Sequence, residues 1–189
     1  MKTIKNNISN EIVIKNSRFI ALIYKINTLD ITTYLNEVKT NYPKATHYCY
    51  GYIYNEYKKY TDDGEPSGTA GAPIMNVLEK ENLNNILVII VRYFGGIKLG
   101  AGGLVRAYTK ATTEALKLAE YQELTKGYKV EISFDYSLEK QINYLLSNYS
   151  VIDKQYDEKI KYITLIDDNI LEKLHNYDYK ILEELYIEK

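Results

Sequence analysis

Asp62, Asp63 and Glu65 lie in one short stretch, with the hydroxyls of Thr61, Ser67 and Thr69 around them. Carboxylates this close suit a hard cation or acid–base chemistry. They equally suit salt bridges to Arg92 or Arg106. A second stretch, Gly95-Gly-Ile-Lys-Leu-Gly-Ala-Gly-Gly103, feeds straight into a helical pattern. Free amides at such a helix start, with the positive end of its dipole, favour an anion. Arg92, Lys98, Arg106 and Lys110 add positive charge, and Arg106 and Lys110 share a helix face at i, i+4. Gly102, Gly103 and Arg106 are thus candidate anion holders. Asp62, Asp63 and Glu65 could hold a divalent ion or act as base, with Ser67 and Thr69 beside them. The order of residues is not that of a Walker A loop, so no nucleotide follows from spacing. Glycine also serves turns and tight packing, and Asp-Gly is a generic turn. A purely structural role for both loops stays open.

His47 and Cys49 form a second candidate site on a strand face. A thiolate needs a base within hydrogen-bond reach, and i, i+2 on a strand separates Cα atoms by about 6–7 Å. A buried thiol beside a hydrogen-bonded imidazole is the favoured reading. Tyr48, Tyr50, Tyr52 and Tyr54 line the opposite face. Such a row can stack bases, but a half-buried face under a helix is favoured. His175 lies in a polar helix and reads as solvated.

Composition narrows the class. With 46% hydrophobic and 26% charged residues, the 189-residue chain has an ordinary globular balance. A single Cys excludes an internal disulfide and any cysteine-rich zinc or iron–sulfur site. Two His residues make a His-rich metal centre implausible, so neither metal nor cofactor is expected. The N-terminal stretch Met1–Asn10 has no hydrophobic signal core, and the longest apolar run, Ile86–Val91, is far too short to span a membrane. A cytoplasmic setting is expected. Net charge is −1, which gives no global case for nucleic acid. The halves differ, however. Residues 1–125 carry 15 basic and 12 acidic side chains, and residues 126–189 carry 9 and 13. The nets of +3 and −4 suggest two modules.

The elements that must position these residues read as follows. Glu11–Asn16 and Arg18–Tyr24 read as a hairpin with its turn at Asn16-Ser17, or as one long bent strand. A helix capped by Asp30 carries Ile31, Tyr34, Leu35 and Val38 on one face and stops at Pro43. Thr46–Tyr54 alternates as a strand. Tyr60–Gly71 is a loop, and Ala72–Glu81 a helix with Pro73 near its start. Asn85–Phe94 is wholly apolar over most of its length, as a central strand covered on both faces would be. Leu104–Tyr121 is the strongest helix, burying Leu104, Tyr108, Ala111, Ala115 and Leu118. Gly127 reads as a linker point. Beyond it come a strand at Tyr128–Tyr136, a helix from Ser137, a hairpin at Ser150–Ile166, a helix at Asn169–Asn176 and a strand at Tyr179–Ile187. That βαββαβ order is ferredoxin-like, although Glu183 and Glu184 suit a helix as well. The fold class is α+β, with domains at 1–125 and 126–189.

Two segments now carry a resemblance. Asp62-Asp-Gly-Glu-Pro-Ser-Gly-Thr-Ala-Gly71 and Arg92-Tyr-Phe-Gly-Gly-Ile-Lys-Leu-Gly-Ala-Gly-Gly-Leu-Val-Arg-Ala-Tyr108 resemble the signature of the YigZ/IMPACT family. Ser17-Arg-Phe-Ile-Ala21 and His47-x-Cys49 match its earlier motifs. The likeness covers about Glu11 to Tyr121, and the remainder resembles the small C-terminal domain of bacterial members. It implies a first domain similar to the second domain of a small-subunit ribosomal protein, a fold shared with small-metabolite kinases. It implies a second domain similar to the C-terminal domains of elongation factor G. Eukaryotic relatives bind a ribosome-associated activator and restrain a starvation-responsive translation kinase, using an additional N-terminal domain not seen in this sequence. No catalytic residue carries over, so whether the chain is an enzyme stays open. Tyr60-Thr61 stands where the family often has Arg or Ser before the acidic pair. The resemblance implies a translation-associated regulatory protein that binds RNA, the ribosome or a protein partner. The alternative is an enzyme or binder of a phosphorylated or acidic small ligand at the two loops.

Overall fold

In a computed structural model describing residues Met1–Lys189, the chain divides into two compact units, Met1–Glu123 and Leu124–Lys189. The first runs β1 (Lys2–Ile4), β2 (Ile8–Ile14), β3 (Ser17–Lys25), α1 (Thr32–Asn41), β4 (His47–Tyr54), β5 (Tyr57–Thr61), α2 (Gly71–Lys80), β6 (Ile86–Tyr93) and α3 (Ala101–Leu116). An antiparallel sheet in the order β2-β3-β6-β4-β5 forms its centre. β6 is the middle strand, and its apolar run divides between two cores. Ile86, Val88 and Ile90 pack with residues of α2 and α3. Leu87, Ile89 and Val91 pack on the other face with Ile31 and Val38 around α1. A continuous apolar strand is what burial on both faces requires. The tyrosines of β4 belong to the α1 side: Tyr52 is buried and Tyr48, Tyr50 and Tyr54 are half-buried against it. The Tyr48 hydroxyl donates to the Tyr42 carbonyl at 2.6 Å, so the row is a covered face and not a stacking platform.

Three local differences from the sequence expectation have physical causes. The β2–β3 turn is Lys15-Asn16, both at positive φ, with Ile14 paired to Ser17. Two left-handed residues give the turn whose twist suits a two-residue hairpin. β5 is an additional strand, joined to β4 by a tight turn at Asn55-Glu56. Its Tyr57-Lys-Lys-Tyr60 lacks alternation because an edge strand exposes both faces. Finally, α3 ends at Leu116, so Leu118 is 61% exposed and leaves the buried stripe.

β7 (Tyr121–Phe134) crosses the division, and from Leu124 the second unit continues through α4 (Glu139–Leu145), β8 (Val151–Tyr156), β9 (Ile160–Asp167) and α5 (Asp168–Lys173) to β10 (Asp178–Glu188). The first residues of β7, Tyr121–Glu123, are part of the first unit and pair there with β1. Its later residues lie in a sheet ordered β10-β7-β9-β8, antiparallel throughout. With the βαββαβ order, this is the split arrangement expected of a ferredoxin-like unit. Val130, Ile132, Ile142, Tyr162, Ile166 and Ile170 are among its core. Asp167 caps α5 by accepting from the Ile170 amide at 3.1 Å. The ambiguous C-terminal segment is strand, with a register shift between Ile181 and Glu183 that absorbs one residue as a bulge. Gly127 is not a linker. It pairs with Asp167 and Leu185 inside β7, and a Cβ there would lie 2.7 Å from Ile187 and 3.0 Å from the Ile166 carbonyl. It is glycine because side chain and backbone close over it. No helix is long and apolar enough to cross a membrane.

Candidate functional site

β6 ends at Arg92 and Tyr93, which pair with Phe19 and Arg18 of β3, and Arg92 also pairs with His47 of β4. Both glycine-rich loops reach this end of the sheet. The first, between β5 and α2, is tied down by its own acidic residues. Asp62 accepts from the amides of Gly68 at 2.8 Å, Ala70 at 3.0 Å and Gly71 at 2.8 Å. Burial would raise its pKa, but the three amide donors outweigh burial and the net shift is downward. Asp63 accepts from the Tyr48 amide at 2.6 Å, and its φ of 43° lies in the left-handed region. The Thr69 hydroxyl donates to the Pro66 carbonyl at 2.6 Å. Ser67 is exposed.

Glu65 points inward. Its side chain is 3% exposed, and its Oε1 accepts from Arg92 Nη1 at 2.5 Å and from the Tyr108 hydroxyl at 2.7 Å. Arg92 is itself 5% exposed, with its guanidinium carbon 5.4 Å from the Phe19 ring centre and 5.7 Å from that of Phe94. The other carboxylate oxygen lies 3.7 Å from His47 Nε2. His47 Nδ1 lies 2.7 Å from the Asp63 carbonyl, an acceptor only, so Nδ1 carries the hydrogen. The loop, β4, β6 and α3 thus meet at one buried carboxylate.

Cys49 is fully buried and lies 2.9 Å from the Asp62 carbonyl and 3.3 Å from the Tyr108 hydroxyl. Burial pushes its thiol up to about 12. A neutral, enclosed thiol is no nucleophile. Burial, then Cys49 and then Glu65, also raise Tyr108 above its ordinary value. His47 and Cys49 therefore frame the first loop rather than pairing with each other. The sequence located Tyr108 in the buried stripe of α3. Nothing in its spacing indicated that the hydroxyl would meet Glu65, a contact 43 residues away along the chain.

The second loop is arranged differently. Gly95 is locked: its amide donates to Ser17 Oγ at 3.1 Å, and a Cβ would lie 2.0 Å from the Asn16 carbonyl carbon. Past that point the loop opens. Gly96 and Gly100 have positive φ and nothing within 4 Å of a notional Cβ. Lys98, Gly102 and Arg106 are exposed, and Gly103 is half-buried against Leu99. No side chain caps α3, and its first turn holds no acidic residue. The Arg106 guanidinium lies over Gly102, its Nη1 3.6 Å from the position of a Cβ. The structure thus brings Gly102, Gly103 and Arg106 together. Arg92, Glu65 and Thr69 are buried elsewhere.

Both loops lie within the part of the chain that known proteins match. The Impact N-terminal domain model matches residues 15–116. The chain belongs to the IMPACT family. It is similar to the IMPACT family member YvyE of Bacillus subtilis, 37% identical over 172 residues, covering 88% of this chain and 79% of that protein. It is also similar to the IMPACT family member YigZ of Escherichia coli, 33% identical over 129 residues, covering 65% and 63%. Among solved structures, a crystal structure of a hypothetical protein matches with a TM-score of 0.74 at 25% identity, over 96% of this chain and 95% of that one. The matched residues include both loops at the end of β6, one closed by a buried ion pair and one open.

Proposed function

We propose that this IMPACT-family chain is a translation-linked binding protein. Its first unit presents the second loop and the start of α3 to an RNA phosphate on or near the ribosome. The observation that carries this reading is the uncapped start of α3, where Arg106 lies over Gly102 and Lys98 is exposed in the preceding loop. Neither Lys98 nor Arg106 has an acidic partner within the chain, so both charges are available. Phosphate contacts of this kind position a nucleic acid without reading its sequence. The net of +3 over residues 1–125 favours the same ligand. The family's link to translation supports it, as does the implied likeness of the two domains to ribosomal-protein and elongation-factor G domains. The second domain would dock on the ribosome or a protein there, in a cytoplasmic setting.

The test is co-sedimentation with ribosomes at low salt. The chain should shift into ribosomal fractions, and a Lys98→Glu/Arg106→Glu double variant should not. Absence of any shift by the unaltered chain, with no retained RNA, removes the reading. The small-ligand alternative needs Asp62, Asp63 and Glu65 as cation ligands or base. Asp62 and Asp63 accept from backbone amides, and Glu65 is paired with Arg92. Only the anion half of that site keeps its groups, and a thermal-shift screen with sugar phosphates and divalent ions examines it.

A further inference from the structure

Phe94 follows β6 directly and is 47% exposed, although it stands beside a buried arginine. Its backbone is fixed on both sides. Its own amide donates to Thr46 Oγ1 at 3.0 Å, and the next amide, that of Gly95, donates to Ser17 Oγ at 3.1 Å. Arg92, paired with Glu65, also has two rings near its guanidinium. Its guanidinium carbon lies 5.4 Å from the Phe19 ring centre and 5.7 Å from that of Phe94, and its Nε is buried with no hydrogen-bond partner. An exposed apolar ring on a loop is ordinarily mobile. This one has a pinned backbone and a guanidinium behind it, so stacking against it costs little ordering entropy. Lys98 is four residues further on, at most about 14 Å along the chain.

We infer that Phe94 is a stacking platform for a base of unpaired RNA, with the exposed Lys98 of the same loop holding a flanking phosphate. This rests on the RNA reading of the same loop and names the form of RNA that it takes. The physical reason is access. In a duplex the faces of internal bases are covered by their neighbours, so a protruding ring has nothing to stack on. In a single strand every base presents a face, and an aromatic ring beside cationic side chains is the general solution for holding it. Phosphate contacts alone would favour the more densely charged duplex, so a preference for the single strand reports the ring.

The experiment measures binding of the full chain to a fluorescent oligouridine and to a hairpin duplex of equal phosphate number, at one fixed low salt concentration. The unaltered chain should prefer the single strand. Phe94→Leu keeps the apolar bulk but removes the ring face, and should weaken single-strand binding by roughly 5- to 100-fold. It should leave duplex binding unchanged. Phe94→Trp should restore or strengthen the single-strand signal. Unchanged melting temperatures in both variants establish that folding is not the cause. If strand and duplex bind alike and Phe94→Leu matches the unaltered chain, the stacking inference fails while the RNA reading stands. If neither RNA binds, or a polyglutamate peptide competes equally well, both fail.

Discussion

The two glycine-rich loops flank the same strand and reach the same end of it, yet their polar groups face opposite ways. In the first loop almost every polar side chain is turned to the protein. Asp62 holds three backbone amides, Asp63 holds one, and Glu65 holds Arg92 and Tyr108. In the second, the glycines past Gly95 open to solvent and the cations have no acidic partner. Similar composition therefore does different jobs. Acidic residues fold a loop back because the backbone nearby supplies donors. Basic residues near a helix start find no acceptor there, since the local amides are donors too, and so they stay available.

The sharpest way to break this contrast is Glu65→Ala. It leaves the Arg92 guanidinium buried and unpaired, and should cost about 3–5 kcal/mol in chemical denaturation. If it costs less than about 1 kcal/mol, the first loop is not held by its ion pair. Gly95→Ala should come next, at about 3 kcal/mol, because its Cβ would overlap the Asn16 backbone, which cannot move aside. Gly100→Ala meets nothing within 4 Å, but its φ of 72° with ψ of 165° lies where essentially only glycine goes, so backbone strain alone should cost about 1–3 kcal/mol. A loss at Gly95 smaller than that at Gly100 would erase the distinction between a locked and an open loop segment.

Asp62→Ala should cost about 1–2 kcal/mol at neutral pH through loss of charge-assisted bonds to backbone amides. Its folded pKa is lowered, so the stabilisation is fully present above the unfolded carboxylate value of about 3.9. It is lost as pH falls through the lower folded value. The gap between variant and parent in a pH-dependent melting series should close in acid. A gap that widened there would reverse the assigned direction. The smallest stability effects belong to the second loop. Lys98→Ala and Arg106→Ala should change stability by less than about 0.5 kcal/mol. Each should lower the salt dependence of RNA binding by about one phosphate contact, read as a shallower slope of log affinity against log salt.

Much of the scaffold was legible because burial writes itself into spacing. The unbroken Ile86–Val91 run announced a strand covered on both faces, and the Leu104–Tyr108–Ala111–Ala115 stripe announced α3. Sparse signals failed where the cause was non-local. β5 is an edge strand with no buried face to impose alternation. Gly127 resembled a linker because its need for glycine comes from Ile187, distant in sequence. Lengths also escaped: α3 stops before Leu118, although the apolar spacing continues.

The sequence by itself determined which residues carry charge, hydroxyl and ring, which strand must be central, and that the two glycine-rich motifs belong to the IMPACT family. Those properties reside in residue identity and short-range order. Only the tertiary structure decided which acid meets which base. Arg92 could have joined the cations of the second loop, but the path of β6 delivers it to Glu65 and Tyr108 inside the fold. Arg106, on the exposed side of α3, was left in water. Side chains of like charge were thus sorted into a buried pair and an open surface by the faces of the elements that bear them.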